Sequence, residues 1–251
     1  MKVGIIGSGN VATVLGRLIH QKKHQVVQVM SQHIDHAKLL AEEWGANYTD
    51  FDGIPDESAD IYIIAIADNA LNDSLIRLSL YNKPVFHTAG SVSKEVLKAV
   101  SRNYGVLYPL QSLRKEMSII PSIPFLIDAN NEETLQLLRS FAIELSNEVM
   151  IASDDERIKL HIAAVIVSNF TNHLYAIAED FCNKEKVNFN LLKPLIMETA
   201  MRIKELSPAT VQTGPALRKD VVTLDKHLKI LTAHPTLRTT YLRLTDSIMN
   251  P

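Results

Sequence analysis

Three groups of residues in this chain have types and spacings that could do chemistry. The first is Gly7-Ser8-Gly9-Asn10-Val11-Ala12, which follows the apolar run Val3-Gly4-Ile5-Ile6 and opens a stretch of helical spacing from Val11 to Ile19. A strand, a glycine turn and a helix start together form a cradle for a pyrophosphate. Gly7 permits the tight turn, Gly9 lets backbone approach phosphate oxygens, and the small Ala12 lets the helix lie close to the sheet. The helix start adds free N–H groups and the positive end of its dipole. Gly7, Ser8, Gly9, Asn10 and Val11 are therefore the expected phosphate contacts.

The second group is a polar row in an apolar field, running from His161 through Ser168 and Asn169 to Asn172 and His173. At about 100° per residue, His161, Ser168, Asn169 and Asn172 fall within about a third of a helix circumference. Facing a cleft, such a row could bind and protonate a carbonyl or imine. His161 would be the general acid or base, because imidazole exchanges protons at neutral pH. Asn169 and Asn172 would orient the substrate. A satisfied polar seam between helices, or across a dimer interface, fits the same pattern.

The third group is Gln212-Thr213-Gly214-Pro215-Ala216, followed by Arg218, Asp220 and His227. Gly-Pro in a Thr/Gln-rich stretch is a loop. It reads either as a substrate loop, with Gln212, Thr213 and Gly214 closing the site, or as a plain connection between helices. His33 and His36 lack a third ligand nearby, so no metal is expected. No pattern for nucleophilic hydrolysis is present.

The elements that must position these groups alternate over the first 150 residues. Strands are predicted at Gln25–Met30, Asp60–Ala67, Pro84–His87, Gly105–Tyr108, Pro124–Asp128 and Glu148–Ile151. Helices are predicted over Ala37–Trp44, Ala70–Leu80, Ser93–Ser101 and Glu132–Leu145. Such alternation predicts a parallel sheet covered by helices on both faces. From Asp154 the pattern is all helical: one long helix over Asp154–Cys182, then Leu191–Leu206, Val221–Ala233 and Thr236–Met249. The expected domains are 1–153 and 154–251, with Ser153-Asp154-Asp155 as a helix cap at the boundary.

Strand ends supply the remaining cofactor contacts: Ala67 and Asp68 after the central strand, and Ala89 and Gly90 after the next one. The second strand ends in Met30-Ser31-Gln32-His33, with no carboxylate until Asp35. An acid there would hold the ribose hydroxyls of NAD; its absence favours NADP, with Ser31 and Gln32 beside the 2′-phosphate and His33 or Lys38 adding positive charge, the alternative being that Asp35 reaches back or that the site accepts both.

Of 251 residues, 46% are hydrophobic and 22% charged, and the net charge is −2. This is the composition of a globular protein with a sizeable core and no basic stripe for nucleic acid. No apolar run approaches membrane-spanning length, and the chain enters its first strand at residue 2, so a cytoplasmic protein is expected. The single cysteine, Cys182, is read as packing.

Taken together, the segments Gly7–Ala12, His87–Ser91, Tyr108–Gln111, His161–Val165, Asn169–His173, Pro194–Ile196 and Gln212–Ala216 occur in an order that resembles a bacterial family. Its members are Rossmann-like proteins with a C-terminal helical domain of unassigned function, labelled NADP oxidoreductases. More distantly, the chain is similar to pyrroline-5-carboxylate reductase, F420-dependent NADP oxidoreductase and the 6-phosphogluconate dehydrogenase group. The resemblance implies an NADP-binding Rossmann domain, an all-α 6-phosphogluconate dehydrogenase C-terminal-like domain, a homodimer through the latter, and an active site in the interdomain cleft. Many relatives carry Arg where Gln32 stands. The hydroxyacid dehydrogenases use a lysine on the interdomain helix; here Lys159 lies roughly opposite His161, which leaves His161 as the better candidate. The expected activity is hydride transfer between NADP and a small carbonyl or imine. A non-catalytic dinucleotide sensor or assembly protein, and an F420-type reductase, are the alternatives.

Overall fold

The computed structural model describes residues 1–71 and 78–250. It divides into two compact units, Met1–Ser168 and Asn169–Pro251.

The first unit is built on eight strands: β1 (Lys2–Ile6), β2 (Gln25–Met30), β3 (Asn47–Thr49), β4 (Ile61–Ile64), β5 (Val85–His87), β6 (Tyr104–Pro109), β7 (Phe125–Ala129) and β8 (Val149–Ile151). Their order across the sheet is β3-β2-β1-β4-β5-β6-β7-β8. The order reverses between β1 and β4, which makes the C-terminal ends of these strands the crevice where ligands bind in open α/β sheets. Successive residues feed opposite faces. Val3 and Ile5 of β1 join Ile61 and Ile63 of β4 in one core layer, while Ile6 joins Tyr62 and Ile64 in the other. Each such side chain, fully buried, contributes roughly 1.5–3 kcal/mol.

Two strands depart from the expected parallel sheet, β7 and its parallel neighbour β8. β7 runs antiparallel to β6. Parallel neighbours need a long crossover, usually a helix; residues 110–124 supply only turns and irregular chain, so the strand returns in the opposite direction. The helices of this unit are α1 (Asn10–Gln21), α2 (Ile34–Glu42), α3 (Glu132–Leu145) and α4 (Asp154–Ala164). The helix expected over Ser93–Ser101 is a 3₁₀ turn at Lys94–Leu97 followed by turns. Its two anchors, Leu97 and Val100, are buried three residues apart, which matches a three-residue turn. Most of the helix expected over Ala70–Leu80 lies outside the described residues.

α4 starts with a capping box in which Ser153 and Glu156 satisfy each other's backbone N–H groups. The helical run widens into a π segment at Val165–Phe170 and continues as α5 (Thr171–Lys184). The compact first unit extends past the expected boundary at Asp154: α4 meets the turn after β5 through Arg157 and the sheet through Leu160 and His161. The second unit holds α5, α6 (Lys193–Arg202), α7 (Val221–Ile230) and α8 (Pro235–Met249), and no strand among its described residues. No helix among the described residues is long and apolar enough to cross a membrane.

Candidate functional site

The glycine turn joins β1 to α1. Gly7 has φ +122°, and a Cβ there would lie 2.2 Å from the carbonyl oxygen of Ala65. Only glycine fits. Its N–H bonds the carbonyl of Met30 at 2.7 Å, so the turn is tied to the end of β2. At Gly9, by contrast, a Cβ would meet no atom within 4 Å, so open space lies against the backbone. Gly9 is the N-cap of α1, no side chain caps the helix, and no acid sits in its first turn. The first N–H groups of the helix are thus left for an anion. The turn fits a pyrophosphate, which backbone from Gly7 to Val11 would hold.

Beyond the turn, the Ser8 and Ser31 hydroxyls lie 2.7 Å apart. Ser31 is buried, and its N–H donates to Thr49. Gln32 is exposed, and Asp35 sits in the first turn of α2. The other strand ends also converge. Asp68 follows β4 and accepts a 2.6 Å hydrogen bond from the Ser91 hydroxyl, which follows β5. Ala89 is buried between them, and its N–H donates to His87 Nδ1 at 3.1 Å.

Gly90 lies under the one predicted catalytic residue in this unit. A Cβ at Gly90 would sit 2.7 Å from His161 Nδ1 and 2.9 Å from Tyr108 Cζ. The Tyr108 hydroxyl and His161 Nδ1 are hydrogen-bonded at 2.9 Å, with their rings edge to face. An imidazole–phenol pair therefore stands directly over the β5 turn. Burial raises the Tyr108 pKa, and the Asp68 carboxylate raises it further.

One turn before His161 on the same helix face, Arg157 is 1% exposed. Its Nη2 donates to the Val92 carbonyl and, at 2.7 Å, to Asp154. Arg157 thereby ties the turn after β5 to the start of α4. Burial works against ionisation of Asp154, but hydrogen bonds from Ser93 and Arg157 outweigh it and hold its carboxyl below the ordinary range. His87, fully buried beside this ion pair, is pushed down to about 4, first by burial and then by the charge of Arg157.

A profile for a domain of unknown function, DUF2520, matches residues 123–248. The chain belongs to the DUF2520 family. A second profile, described as an oxidoreductase family with an NAD-binding Rossmann fold, matches residues 1–88 of this DUF2520 protein. A solved Bacteroides fragilis structure, described as a putative NADP oxidoreductase, is 36% identical, with 100% of this chain and 98% of that one covered and a TM-score of 0.90. A Thermotoga maritima protein is 19% identical, covers 98% of both chains and gives a TM-score of 0.71. A pyrroline-5-carboxylate reductase of Streptococcus pyogenes is 14% identical over 100% of this chain and 99% of its own, with a TM-score of 0.66. The last two establish shared fold only. No curated protein matches the chain. The protein is thus a DUF2520 member with an NAD(P)-binding Rossmann domain of oxidoreductase type and a helical C-terminal region.

The remaining expected site residues belong to the second unit. Asn169 and Asn172 are exposed on either side of the π segment's end. The 100° step used to align them with His161 holds only as far as Ala164, because a π segment turns less per residue. Gln212 and Thr213 are exposed, the Gln212 amide donates to the Thr213 carbonyl at 2.9 Å, and Gly214 has φ +107°. Asp220 caps α7 by accepting from Thr223, and His227 bonds the Tyr241 hydroxyl at 2.7 Å, so neither pairs with the other. Lys159 is exposed and paired with Asp155. Sequence reasoning missed Arg157, Tyr108 and His87. Arg157 stands in the run Asp-Asp-Glu-Arg-Ile-Lys, which looks like a solvated helix start. Its one signal was the spacing of four to His161.

Proposed function

We propose that this protein is an NADP-dependent oxidoreductase that moves hydride between nicotinamide and a small carbonyl or imine carbon. The observation that carries the reading is the His161–Tyr108 pair above Gly90, at the C-terminal end of the sheet that carries the dinucleotide turn. Bound there, the nicotinamide supplies or accepts the hydride. The chain supplies the rest. The turn from Gly7 to Val11 holds the phosphates, Ala67, Asp68, Ala89 and Gly90 line the path toward the ring, and His161 exchanges a proton with the substrate heteroatom. Tyr108 fixes the imidazole through Nδ1, which leaves Nε2 for the substrate. Asn169, Asn172, Gln212, Thr213 and Gly214 are the second unit's own candidates for substrate binding. NADP is preferred over NAD because β2 ends in Ser31-Gln32 with no carboxylate to repel a 2′-phosphate.

The working unit is a homodimer built through the helical unit. Support comes from burial. In residues 169–250 only Cys182, Ala216, Leu224 and Leu231 are buried apolar side chains, while Leu191, Leu195, Met197 and Val222 are each more than 60% exposed, or 60% in the case of Leu195. Helices this bare need cover, and a second copy presents the same face.

The test has two stages. NADPH and NADH are titrated against the protein by nicotinamide fluorescence. A panel of small aldehydes, ketones and cyclic imines is then screened for NADPH consumption. His161→Ala should bind NADPH normally and lose about 10²-fold or more in turnover. Unchanged turnover removes His161 from the reaction; no NADPH binding removes the whole reading.

A further inference from the structure

β2 ends without an acid, but Gln32 also brings no positive charge. A 2′-phosphate bound there would take its positive charge from another residue; His33 and Lys38 are near in sequence, and a third candidate comes from a distant segment. Beside Ser8 lies a cavity of about 260 Å³ whose lining includes Thr13, Arg17, His36, Glu43 and Lys115. It adjoins the end of β2 through the Ser8–Ser31 hydrogen bond. Two of its basic groups come from α1 and α2. The third, Lys115, comes from the connection between β6 and β7, far away in sequence.

Lys115 is held at this cavity by its backbone. Its N–H donates to Asn10 Oδ1 at 3.1 Å, and its carbonyl accepts from Arg17 Nη1 at 2.6 Å. Arg17 is itself gripped by Glu43 through Nε at 2.7 Å and Nη2 at 3.1 Å. That pair fixes the guanidinium and offsets its charge. The Lys115 ammonium has no carboxylate within ion-pair distance among the described residues. Of the permanent charges lining the cavity, Arg17 and Glu43 cancel and Lys115 remains.

We infer that this cavity receives the 2′-phosphate of NADP and that Lys115 is the residue that makes the protein prefer NADP to NAD. The inference rests on the NADP reading above and adds where its selectivity arises. Ser8 and Ser31 offer hydroxyl donors, and Lys115 supplies the charge that Gln32 does not. Asn10 has a second role: besides opening α1, it pins the 110–118 connection so that the lysine stays at the mouth. Because the contact is charge-based and exposed, it weakens with salt.

Equilibrium titrations of NADPH, NADH, 2′-AMP and 5′-AMP against wild type, Lys115→Ala, Lys115→Arg and the control Lys98→Ala, an exposed lysine that does not line the cavity, test this without any substrate. Lys115→Ala should weaken NADPH and 2′-AMP by about tenfold and leave NADH and 5′-AMP within about twofold, as loss of one phosphate contact predicts. Lys115→Arg and Lys98→Ala should keep the wild-type preference. Gln32→Arg added to Lys115→Ala should restore NADPH binding. If wild type prefers NADPH and Lys115→Ala weakens both nucleotides equally, or neither, the cavity is not the subsite and the NADP reading survives. If wild type binds both equally, the NADP reading itself fails and takes this inference with it. A thermal melt of Lys115→Ala matching wild type shows that the fold is intact, since only the exposed side chain is removed.

Discussion

The two units of this chain bury their side chains very differently. In the first, both faces of an eight-stranded sheet are packed, and Phe86, Phe125, Tyr62 and Arg157 are each less than 2% exposed. In the second, α6 and α8 have no buried residue at all. The first unit therefore carries its own hydrophobic driving force and can hold strained or charged groups in fixed positions. The Gly7 turn, the Arg157–Asp154 pair and the neutral His87 are such groups. The second unit presents polar residues on helices that lack cover of their own. Candidate site residues in the first unit are positioned by packing within that unit; those in the second lie on helices with few buried neighbours.

The largest expected effect breaks the second unit and spares the first. If a second copy covers the helices, Leu195→Glu or Met201→Glu should convert the protein to monomer and melt the helical unit, with a melting temperature that falls on dilution. Light scattering and melts over a range of protein concentrations measure this. On a solvent-facing surface the same substitutions would change stability by no more than about 0.5 kcal/mol. A monomeric wild type with unaffected variants would sink the dimer.

Next in size is Gly7→Ala in the first unit. The new methyl would meet the Ala65 carbonyl at 2.2 Å in a backbone with φ +122°. Neither contact can relax without moving β4, so a loss of about 4 kcal/mol or more is expected in urea unfolding, together with loss of NADPH binding. A variant of normal stability would mean the turn is more pliant than its packing implies.

Two arginines put the contrast between the units directly. Arg157→Met removes a cation that is 1% exposed and leaves Asp154 and the Val92 carbonyl without it, at a cost of about 3 kcal/mol. Arg202 makes an analogous pair with Glu198, but on a helix with no buried residue, and Arg202→Met should cost less than about 1 kcal/mol. Arg157→Met should also disturb His161, because the two share the helix face that meets the β5 turn. Its imidazole resonances, followed by NMR, should shift. Equal effects of the two arginine variants would erase the distinction.

How much of this was legible in the sequence follows the same division. β2 and α3 lie where local pattern put them, residue for residue, because alternating apolar runs and an Asn131 cap are local signals. The glycine turn was legible because its conformation is tied to residue type, and residue type is also what singles out His161 as a candidate. β3 was not: its residues, Asn-Tyr-Thr, are largely exposed at a sheet edge and carry no apolar pattern. The reversed β7 was not, because strand direction is decided by the connection. Tyr108 and Arg157 were not, because their roles come from neighbours 53 and 65 residues away in the chain. The π segment left no mark in side-chain type, and it upset the one geometric argument that assumed a uniform helix.

The smallest and most specific expectation concerns His87, which tests whether the first unit's core holds a group against its own chemistry. Its folded pKa, about 4, lies below the ordinary imidazole value of 6.5. Between those values the unfolded chain takes up a proton that the folded chain refuses. The contribution of a neutral His87 is therefore complete above pH 6.5 and is lost as pH falls toward 4, by on the order of 3 kcal/mol at most. His24, also shifted down by burial, adds acid sensitivity of the same sign, so wild type alone cannot report on His87. The useful quantity is the difference in urea midpoint between wild type and His87→Gln at each pH. It should shift steadily in favour of the variant from pH 6.5 down to 4 and stay flat above 6.5. Curves that run parallel through that window would mean that His87 takes its proton in the folded state, and that the Arg157 charge beside it is less confined than its burial implies.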